Sequence, residues 1–317
     1  MTSGASALSG GGWPPAVFDP AGPYSEPVTT LAWALVVGGA IVFAIVLAAL
    51  WIALYGSAKL KARLGGEKAI WGLGFAFPAV VLTGLLVWGL TLTASLSATR
   101  MTGDEMRVKI IGEMWWWRVH YQDADGRETL RDANELHIPV GKPVLLDLES
   151  ADVIHSFWVP RLGGKMDMIP GRTNRLLIQA DRPGIYKGQC AEYCGGPHAL
   201  MGFVVVAHTP SDFARWRASR VPANGPGGAG LGLFLSSGCA ACHTIRGTPA
   251  NGLAGPDLTH VGSRQTLGAG ILPNNPGTMA GWIADSQAIK PANRMPAYHQ
   301  FSGDELLALT DYMVSRK

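Results

Sequence analysis

Two long apolar segments dominate the first hundred residues. One runs from Val28 to Gly56 and the other from Ala69 to Ala98, and neither contains a charged residue. A helix needs about 20 apolar residues to cross the hydrocarbon core of a membrane, and charge-free runs of this length are rare in soluble folds. The pattern therefore predicts a hairpin of two transmembrane helices over residues 28–98, rather than two buried core helices. Pro78 is expected to kink the second helix.

After residue 98 the apolar runs become short, and many alternate with polar residues or are β-branched. Glycine, proline and aspartate separate the runs RVKIIGEMWWWRVHY, ELHIPVG, PVLLDLES, NRLLIQA and GFVVVAH. This spacing predicts a β domain over residues 99–214, built as a sandwich or a barrel. A stretch rich in glycine and proline follows and predicts a flexible linker, assigned to residues 215–227.

The last segment, residues 228–317, has the pattern of a small helical domain. Ser302 precedes the apolar stripe of the final helix, and Glu305 lies three residues further on. This pair predicts a capping box at the start of that helix.

Composition supports a membrane portion joined to soluble domains. Hydrophobic residues make up 48% of the chain and charged residues only 15%, which is apolar for a soluble protein. The net charge of +3 is too small to predict nucleic-acid binding.

The connector between the two apolar segments indicates their orientation. It carries Lys59, Lys61, Arg63 and Lys68 against the single acid Glu67. Short basic loops remain in the cytoplasm, so both ends of the chain are expected outside it. Residues 1–27 lack the apolar core of a cleavable signal peptide. They are expected to form an extracytoplasmic tail, and the first helix is expected to act as the targeting signal.

The sequence CAACH, from Cys239 to His243, is the attachment signature of c-type haem. Two thiols on one turn can add to the haem vinyl groups, with Cys242 as the second, and the next imidazole can face the iron. The four cysteines of the chain fall in two tight pairs, too few and too close for a disulfide scaffold. A zinc or dithiol site is the alternative, and the extracytoplasmic placement favours haem.

The second axial ligand of this haem is expected to be a methionine, which raises the reduction potential. Met295 is the first choice, because Pro296 favours an extended loop that could reach over a haem face. Met279, at the start of a predicted helix, ranks second. Met313 lies on the apolar stripe of the last helix and is expected in the core.

Several other polar residues have weaker assignments. Arg264 could pair with a haem propionate or be solvated. His260 is expected to be a structural hydrogen-bonding residue. Three further histidines lack a ligand context and are expected to be surface or structural residues: His120, His137 and His208.

A second group of soft metal ligands lies in the segment QCAEYCGGPHALM. Cys194, His198 and Met201 at the end of a β domain, with the upstream His155, are the ligand set of a blue-copper site. Cys190 adds a second thiolate, and two thiolates in one loop can bridge two copper ions. Each copper then takes one histidine, with Met201 and a backbone carbonyl as weak outer ligands.

Two alternatives explain less of this segment. A disulfide between Cys190 and Cys194 is feasible in a loop but leaves the histidines and the methionine unexplained. A zinc site would not need the methionine. The sequence therefore favours a binuclear copper site.

Taken together, these motifs identify a resemblance that covers nearly the whole chain. The two apolar helices, GEMWWWRVHY, DVIHSFWVP and CAEYCGGPHALM resemble subunit II of haem–copper cytochrome c oxidases. The linker and the C-terminal haem motif are similar to the fused subunit II of the caa3 type. The resemblance implies three parts: a transmembrane hairpin, a cupredoxin-like copper A domain and an all-α cytochrome c domain.

The resemblance also implies roles for particular residues. Glu192 would offer its backbone carbonyl to one copper, and its carboxylate would face the catalytic subunit, where the family places magnesium. Trp115 matches the aromatic residue through which electrons enter the copper centre, whereas Trp116 is expected only to pack. Glu67 lies near the position of a family glutamate at the mouth of a proton path, although the following Trp and Pro are spaced differently. A simple interfacial charge is the alternative for Glu67.

The expected function is that of an electron-entry subunit in a bacterial inner membrane. A donor cytochrome c would reduce the chain's own haem c, which would pass electrons to the copper pair and on to subunit I. Subunit I, with its haems and its own copper, would reduce oxygen and pump protons; subunit III and lipid are further expected partners. Three rivals are a quinol oxidase subunit without metals, a nitrogen-oxide reductase with binuclear copper, and a free-standing electron shuttle.

Overall fold

The computed structural model describes residues 15–96, 103–220 and 227–317, which fall into two compact units. One unit is helical and begins at Glu26. The other, termed here the soluble unit, holds residues 15–25 together with everything described after residue 102.

The described part of the helical unit, residues 26–96, contains the α-helices α1 (Glu26–Tyr55), α2 (Ala58–Leu64), α3 (Glu67–Trp71) and α4 (Phe77–Leu96). A π-helical turn, Gly72–Ala76, joins α3 to α4, so that Glu67–Leu96 forms a second long apolar helix beside α1. The two have mean hydropathies of 2.8 and 2.1 and are long and apolar enough to cross a membrane. The π turn lies just before Pro78, which lacks the N–H that a regular helix would use.

The β domain of the soluble unit is a sandwich of two five-stranded sheets. The strands are β1 (Met106–Glu113), β2 (Trp116–Gln122), β3 (Glu128–Ala133), β4 (Glu135–Pro139), β5 (Val144–Ser150), β6 (His155–Trp158), β7 (Met166–Met168), β8 (Asn174–Ile178), β9 (Gly184–Cys190) and β10 (Gly202–His208). One sheet has the order β3-β2-β1-β5-β8, where β1 and β5 are parallel. The other has the order β4-β10-β9-β6-β7, where β10 and β4 are parallel.

An aromatic group forms the centre of this sandwich. Trp117, Phe157 and Phe203 are each at most 1% exposed, with ring centroids 4.9–5.9 Å apart and edge-to-face packing. Trp117 also donates from its indole nitrogen to the carbonyl of Gly202 at 2.9 Å. This core fixes the ends of β6, β9 and β10, where the predicted copper ligands lie.

Two sequence assignments differ in detail from this architecture. Part of the predicted N-terminal tail packs on the β domain: Ala21 N–H donates to the Arg161 carbonyl and Asp181 N–H to the Ala21 carbonyl, at 2.8 and 2.9 Å. Residues 215–218 of the predicted linker belong to helix α5 (Pro210–Ala218), whose Trp216 is buried against the sandwich. The remainder of the tail, residues 1–14, and linker residues 221–226 lie outside the described residues.

The helical domain of the soluble unit contains α6 (Gly228–Ser236), α7 (Pro276–Ala284), α8 (Ser286–Ile289), α9 (Gly303–Val314) and the short hairpin β11–β12 (Thr266–Leu267, Leu272–Pro273). The predicted capping box of α9 is confirmed, because Ser302 and Glu305 bond each other's backbone N–H. The apolar faces of α6, α7 and α9 enclose a core that includes Phe234, Met279 and Met313.

Candidate metal and haem sites

The predicted copper ligands converge at one end of the β sandwich, where β6, β9 and the loop before β10 meet. The Sγ atoms of Cys190 and Cys194 are 3.8 Å apart, so the two thiols are close but not joined in a disulfide. His155 Nδ1 lies 3.9 Å from Cys190 Sγ, and His198 Nδ1 lies 3.5 Å from Cys194 Sγ. Met201 Sδ lies 3.8 Å from Cys194 Sγ. We term these five residues the sulfur cluster.

Glu192 contributes differently from the other predicted ligands. Its backbone oxygen lies 3.2 Å from Cys190 Sγ, while its side chain is exposed at the surface. The carbonyl therefore faces the sulfur cluster, whereas the carboxylate lies at the surface. The described residues hold no further acid that would complete a magnesium site with it.

The sulfur cluster has the chemistry that a copper pair requires. Both thiols are buried, and two thiols with two imidazoles and a thioether form a soft donor set suited to copper. Gly112 leaves room for one of these donors, because a side chain there would come within 2.9 Å of the His155 ring. The residues present therefore fit a binuclear copper site.

Ionisation in the sulfur cluster is strongly coupled. The hydrogen bond from Cys194, reinforced by His155, lowers the pKa of the Cys190 thiol to about 4. Sharing a proton with Cys190, together with burial, raises the pKa of Cys194. Because a metal binds thiolates rather than thiols, binding of copper to both sulfurs requires both thiols to lose their protons.

Asp152 orients one of these ligands and was not identified from the sequence. Its Oδ1 lies 2.9 Å from His155 Nε2, which leaves Nδ1 directed at the sulfur cluster. Burial would lower the pKa of His155, but the hydrogen bonds to Cys190 and Asp152 outweigh it and the pKa is raised. Carboxylates commonly hold ligating histidines in this way. The only sequence signal was an acid three residues before a ligand histidine.

The predicted haem ligands line a second site, a cavity of about 390 Å³ whose walls come mostly from the helical domain. Cys239, Cys242 and His243 line one wall, and all three candidate methionines, Met279, Met295 and Met313, line others. Met295 lies in a loop, whereas Met279 and Met313 are 3% exposed within helices.

His243 is prepared for an axial role. Its Nδ1 bonds the carbonyl of Pro256 at 2.9 Å, which leaves Nε2 free to bind a metal. Burial lowers the pKa of His243, so the ring stays neutral at physiological pH. A side chain at Gly255 would lie within 2.6 Å of the His243 ring. The thiols, the imidazole and the apolar walls fit a covalently attached haem.

One wall of this cavity comes from the β domain. Glu113, Trp115, Trp116 and Asn134 line it beside residues of the helical domain. Trp115 also donates from its indole nitrogen to the carbonyl of Cys194 at 2.8 Å. A single side chain thus contacts both the haem cavity and the sulfur cluster. Trp116 lies under the guanidinium of Arg118, 4.5 Å from its ring centroid, and lines the cavity as well.

The two domains are joined by polar contacts that the sequence did not reveal. Arg264 is 8% exposed, so it is not solvated; it bonds Asp132 of the β domain at 2.8 Å and also lines the haem cavity. The backbone N–H of Gln265 donates to Glu135 at 2.7 Å, and that of Gly202 donates to the Ala269 carbonyl at 2.8 Å.

The remaining predicted residues have structural roles. His260 is buried and bonds the Lys317 carbonyl at 3.0 Å, as expected for a structural histidine. His137 is buried between Glu135 and His208, with 2.7 Å contacts to both. His120 pairs with Glu128 on the face of the β domain. Glu67 lies in the first turn of α3, where its negative charge complements the helix N-terminus.

Comparison with known proteins places these sites in a family context. Residues 124–208 match the family model "Cytochrome C oxidase subunit II, periplasmic domain", and residues 229–317 match the model "Cytochrome c". Cytochrome c oxidase subunit 2 of Alkalihalophilus pseudofirmus is 33% identical over 94% of this chain and 90% of its own length. The subunit 2 of Bacillus sp. strain PS3 is 28% identical over 82% of this chain and 77% of its own length.

One solved structure is similar to part of the chain. The periplasmic domain of subunit II of cytochrome oxidase from Bradyrhizobium japonicum is 32% identical, covering 37% of this chain and 94% of that chain, with a TM-score of 0.34.

Proposed function

The chain belongs to the cytochrome c oxidase subunit II family, and we propose that it is the electron-entry subunit of its oxidase. Membership makes it part of an oxidoreductase complex of the haem–copper type with an electron-transfer role, carrying its own cytochrome c domain. The finer proposal is that electrons from a donor cytochrome c reach a haem c in the helical domain, then a binuclear copper A in the sulfur cluster, and then subunit I. When bound, haem iron and the copper pair each exchange single electrons without bond breaking.

The position of Trp115 is the single observation that carries this proposal. Its indole bonds the backbone of the copper ligand Cys194 at 2.8 Å, and the same residue lines the haem cavity. Gly195 allows the ring to lie against the ligand loop, because a side chain there would come within 3.2 Å of it. Trp115 is therefore the direct physical connection between the two sites.

The proposed metal ligands are those that the sulfur cluster brings together. His155, Cys190, Cys194, His198 and Met201 would hold the copper pair, with the carbonyl of Glu192 as a further ligand. Both thiols are buried, so water has little access to their sulfur atoms. The exposed Glu192 carboxylate is proposed to meet subunit I, where a magnesium ion would lie between the subunits.

In the helical domain, Cys239 and Cys242 would hold the haem covalently, with His243 and Met295 as axial ligands. His243 presents Nε2 to the cavity, and Met295 offers a thioether from a loop rather than from a helix. We choose Met295 over Met279 and Met313 as the second axial ligand, because its side chain can adjust to the haem without disturbing the helical core.

The membrane orientation belongs to the same proposal. The apolar helices and the family fit an inner-membrane protein with an extracytoplasmic domain. The basic connector, with Lys59 and Lys61, is proposed to face the cytoplasm and both chain ends the outside. The helices would contact lipid and subunit I, and subunit III would complete the complex.

Metal analysis of the purified complex, combined with a cysteine variant, tests the proposal. The intact complex should contain two coppers and one haem c per copy of this chain, in addition to the metals of subunit I. Cys190→Ser should leave one thiolate and hence one copper at the sulfur cluster, with the intense visible band of a blue-copper site. Cys239→Ser is the matched control, and it should alter haem attachment and leave the two coppers in place.

A wild-type chain with a single copper would contradict the binuclear site. A complex without co-purified haems and cyanide-sensitive oxygen uptake would contradict the assignment to a terminal oxidase. A chain that binds neither metal would indicate a subunit that serves only in assembly.

A further inference from the structure

Lys290, at the end of α8, is a buried cation with no assigned role. Its side chain is 3% exposed. Its ammonium donates to the carbonyl of Trp115 at 2.6 Å and to that of Gly268 at 3.0 Å. Trp115 belongs to the β domain and Gly268 to the helical domain. Within the described residues no carboxylate lies within ion-pair distance of this ammonium.

This arrangement is costly if its only purpose is packing. Burying an ammonium without an acidic partner is unfavourable, because two carbonyls replace only part of its hydration. Burial lowers the pKa of Lys290 to about 7, although the nearby Cys194 acts in the opposite direction. A methionine or leucine would fill the same space without that penalty. The two hydrogen bonds, one to each domain, are the property that an apolar side chain could not supply.

The loop that follows Lys290 makes further contacts with the β domain. Arg294 lies 3.6 Å from both Glu113 and Asp152, and Asp152 is the carboxylate that holds the copper ligand His155. A side chain at Gly196, inside the ligand loop, would lie 3.8 Å from the methyl group of Ala292. The segment 290–295 therefore packs beside the ligand loop and ends at Met295 on the haem cavity.

We propose that Lys290 is a positioning residue for electron transfer between the haem and the copper pair. By bonding the backbone of Trp115, it fixes this residue between the two sites and fastens the helical domain to the β domain. The electron-transfer part of this inference rests on the proposed function. The contact between the two domains does not depend on bound metal. Lys290 acts through Trp115 and contacts neither proposed metal centre as a ligand.

Lys290→Met in the full chain within its complex tests the inference, with Lys142→Met as a control. Lys142 is an exposed lysine of the β domain, so its loss should change neither measurement. The first measurement is hydrogen exchange of the amides that bridge the domains, Gly202 and Gln265. The second is the rate of electron transfer from haem c to copper after flash reduction of the haem.

In Lys290→Met we expect the two bridging amides to exchange at least about tenfold faster, the effect of losing one hydrogen bond to a charged donor. Electron transfer should also slow by about tenfold or more, because small misplacements of reacting groups have large rate effects. Amides inside the helical domain, such as that of Met279, should exchange as in the wild type. Haem and copper contents should be unchanged.

Lys290→Arg keeps hydrogen-bond donors at this position, so the Gly202 and Gln265 amides should stay mostly protected from exchange. This variant tests the inference even if Lys290→Met folds poorly. Unchanged exchange and unchanged electron transfer in Lys290→Met would overturn the proposal. Equal acceleration of the bridging amides and of Met279 would overturn it too, because it would indicate a packing role. If the metal analysis does not find two coppers and one haem c, the proposed function is wrong. The exchange experiment would still show whether Lys290 holds the two domains together.

Discussion

The contact between the two domains should depend far more on Arg264 than on Arg294, although both arginines reach from the helical domain to carboxylates of the β domain. Arg264 bonds Asp132 at 2.8 Å, and the two side chains are 6% and 4% exposed. Arg294 lies 3.6 Å from Glu113 and is 57% exposed. Burial, rather than the number of ion pairs, should decide the effect.

The magnitudes follow from these exposures. Breaking a buried ion pair by removing one partner costs about 3–5 kcal/mol, because the other charge is left without compensation. Arg264→Leu would leave the Asp132 carboxylate buried with the adjacent Ala133 N–H as a hydrogen-bond donor. An exposed pair such as that of Arg294 contributes about 1 kcal/mol or less. The two variants should therefore differ by at least about 30-fold in the equilibrium for separating the domains, at about 1.4 kcal/mol for each factor of ten.

Hydrogen exchange of the Gly202 amide measures this equilibrium directly. This N–H donates across the interface to the Ala269 carbonyl at 2.8 Å, and it is released when the domains separate. A double variant, Asp132→Leu with Arg264→Met, removes both charges and should recover most of the protection lost in Arg264→Leu. Equal exchange in Arg264→Leu and Arg294→Ala, or no recovery in the double variant, would refute the reasoning.

Two further predictions concern single sites. Met295→His should lower the reduction potential of the haem markedly in a redox titration, because it replaces a thioether ligand with an imidazole. If Met279→His lowers the potential instead, Met279 is the axial ligand. Burial, together with the neighbouring His137, lowers the pKa of His208 to about 4, against about 6.5 in the unfolded chain. The unfolded chain therefore binds more protons between these values, so the stability of the β domain should rise from pH 4 to pH 6.5 and then level off. His208→Gln should flatten that rise in urea titrations followed by near-UV circular dichroism, and an unchanged slope would exclude His208 as its source.

Local features of the chain were predictable because they depend on residues close together in sequence. The segment from Cys190 to Met201 contains most of the sulfur cluster, so its spacing alone restricts the ligands to one small volume. CAACH similarly keeps Cys239, Cys242 and His243 on one wall of a cavity. The capping box at Ser302 spans three residues and was correct for the same reason.

The supporting residues around these sites were not predictable in the same way. Asp152 precedes His155 by three residues, but acids at that spacing are common and most are not ligand supports. Trp115 was singled out only through a family resemblance, and its bond to the Cys194 carbonyl joins residues far apart in sequence. The predicted linker began too early: α5 ends at Ala218, and the change to a glycine- and proline-rich composition begins only at Val221.

The sequence by itself determined the kinds of domain, their order, and the donor atoms of both proposed metal sites. These follow from hydrophobic period and from short motifs, which the covalent chain keeps together. Only the tertiary structure decided that the two soluble domains share a cavity wall and that Lys290 and Arg264 fasten one to the other. Each of those contacts pairs residues more than a hundred positions apart. No local pattern encodes such a pair, because its partners meet only when two separately folded surfaces come together.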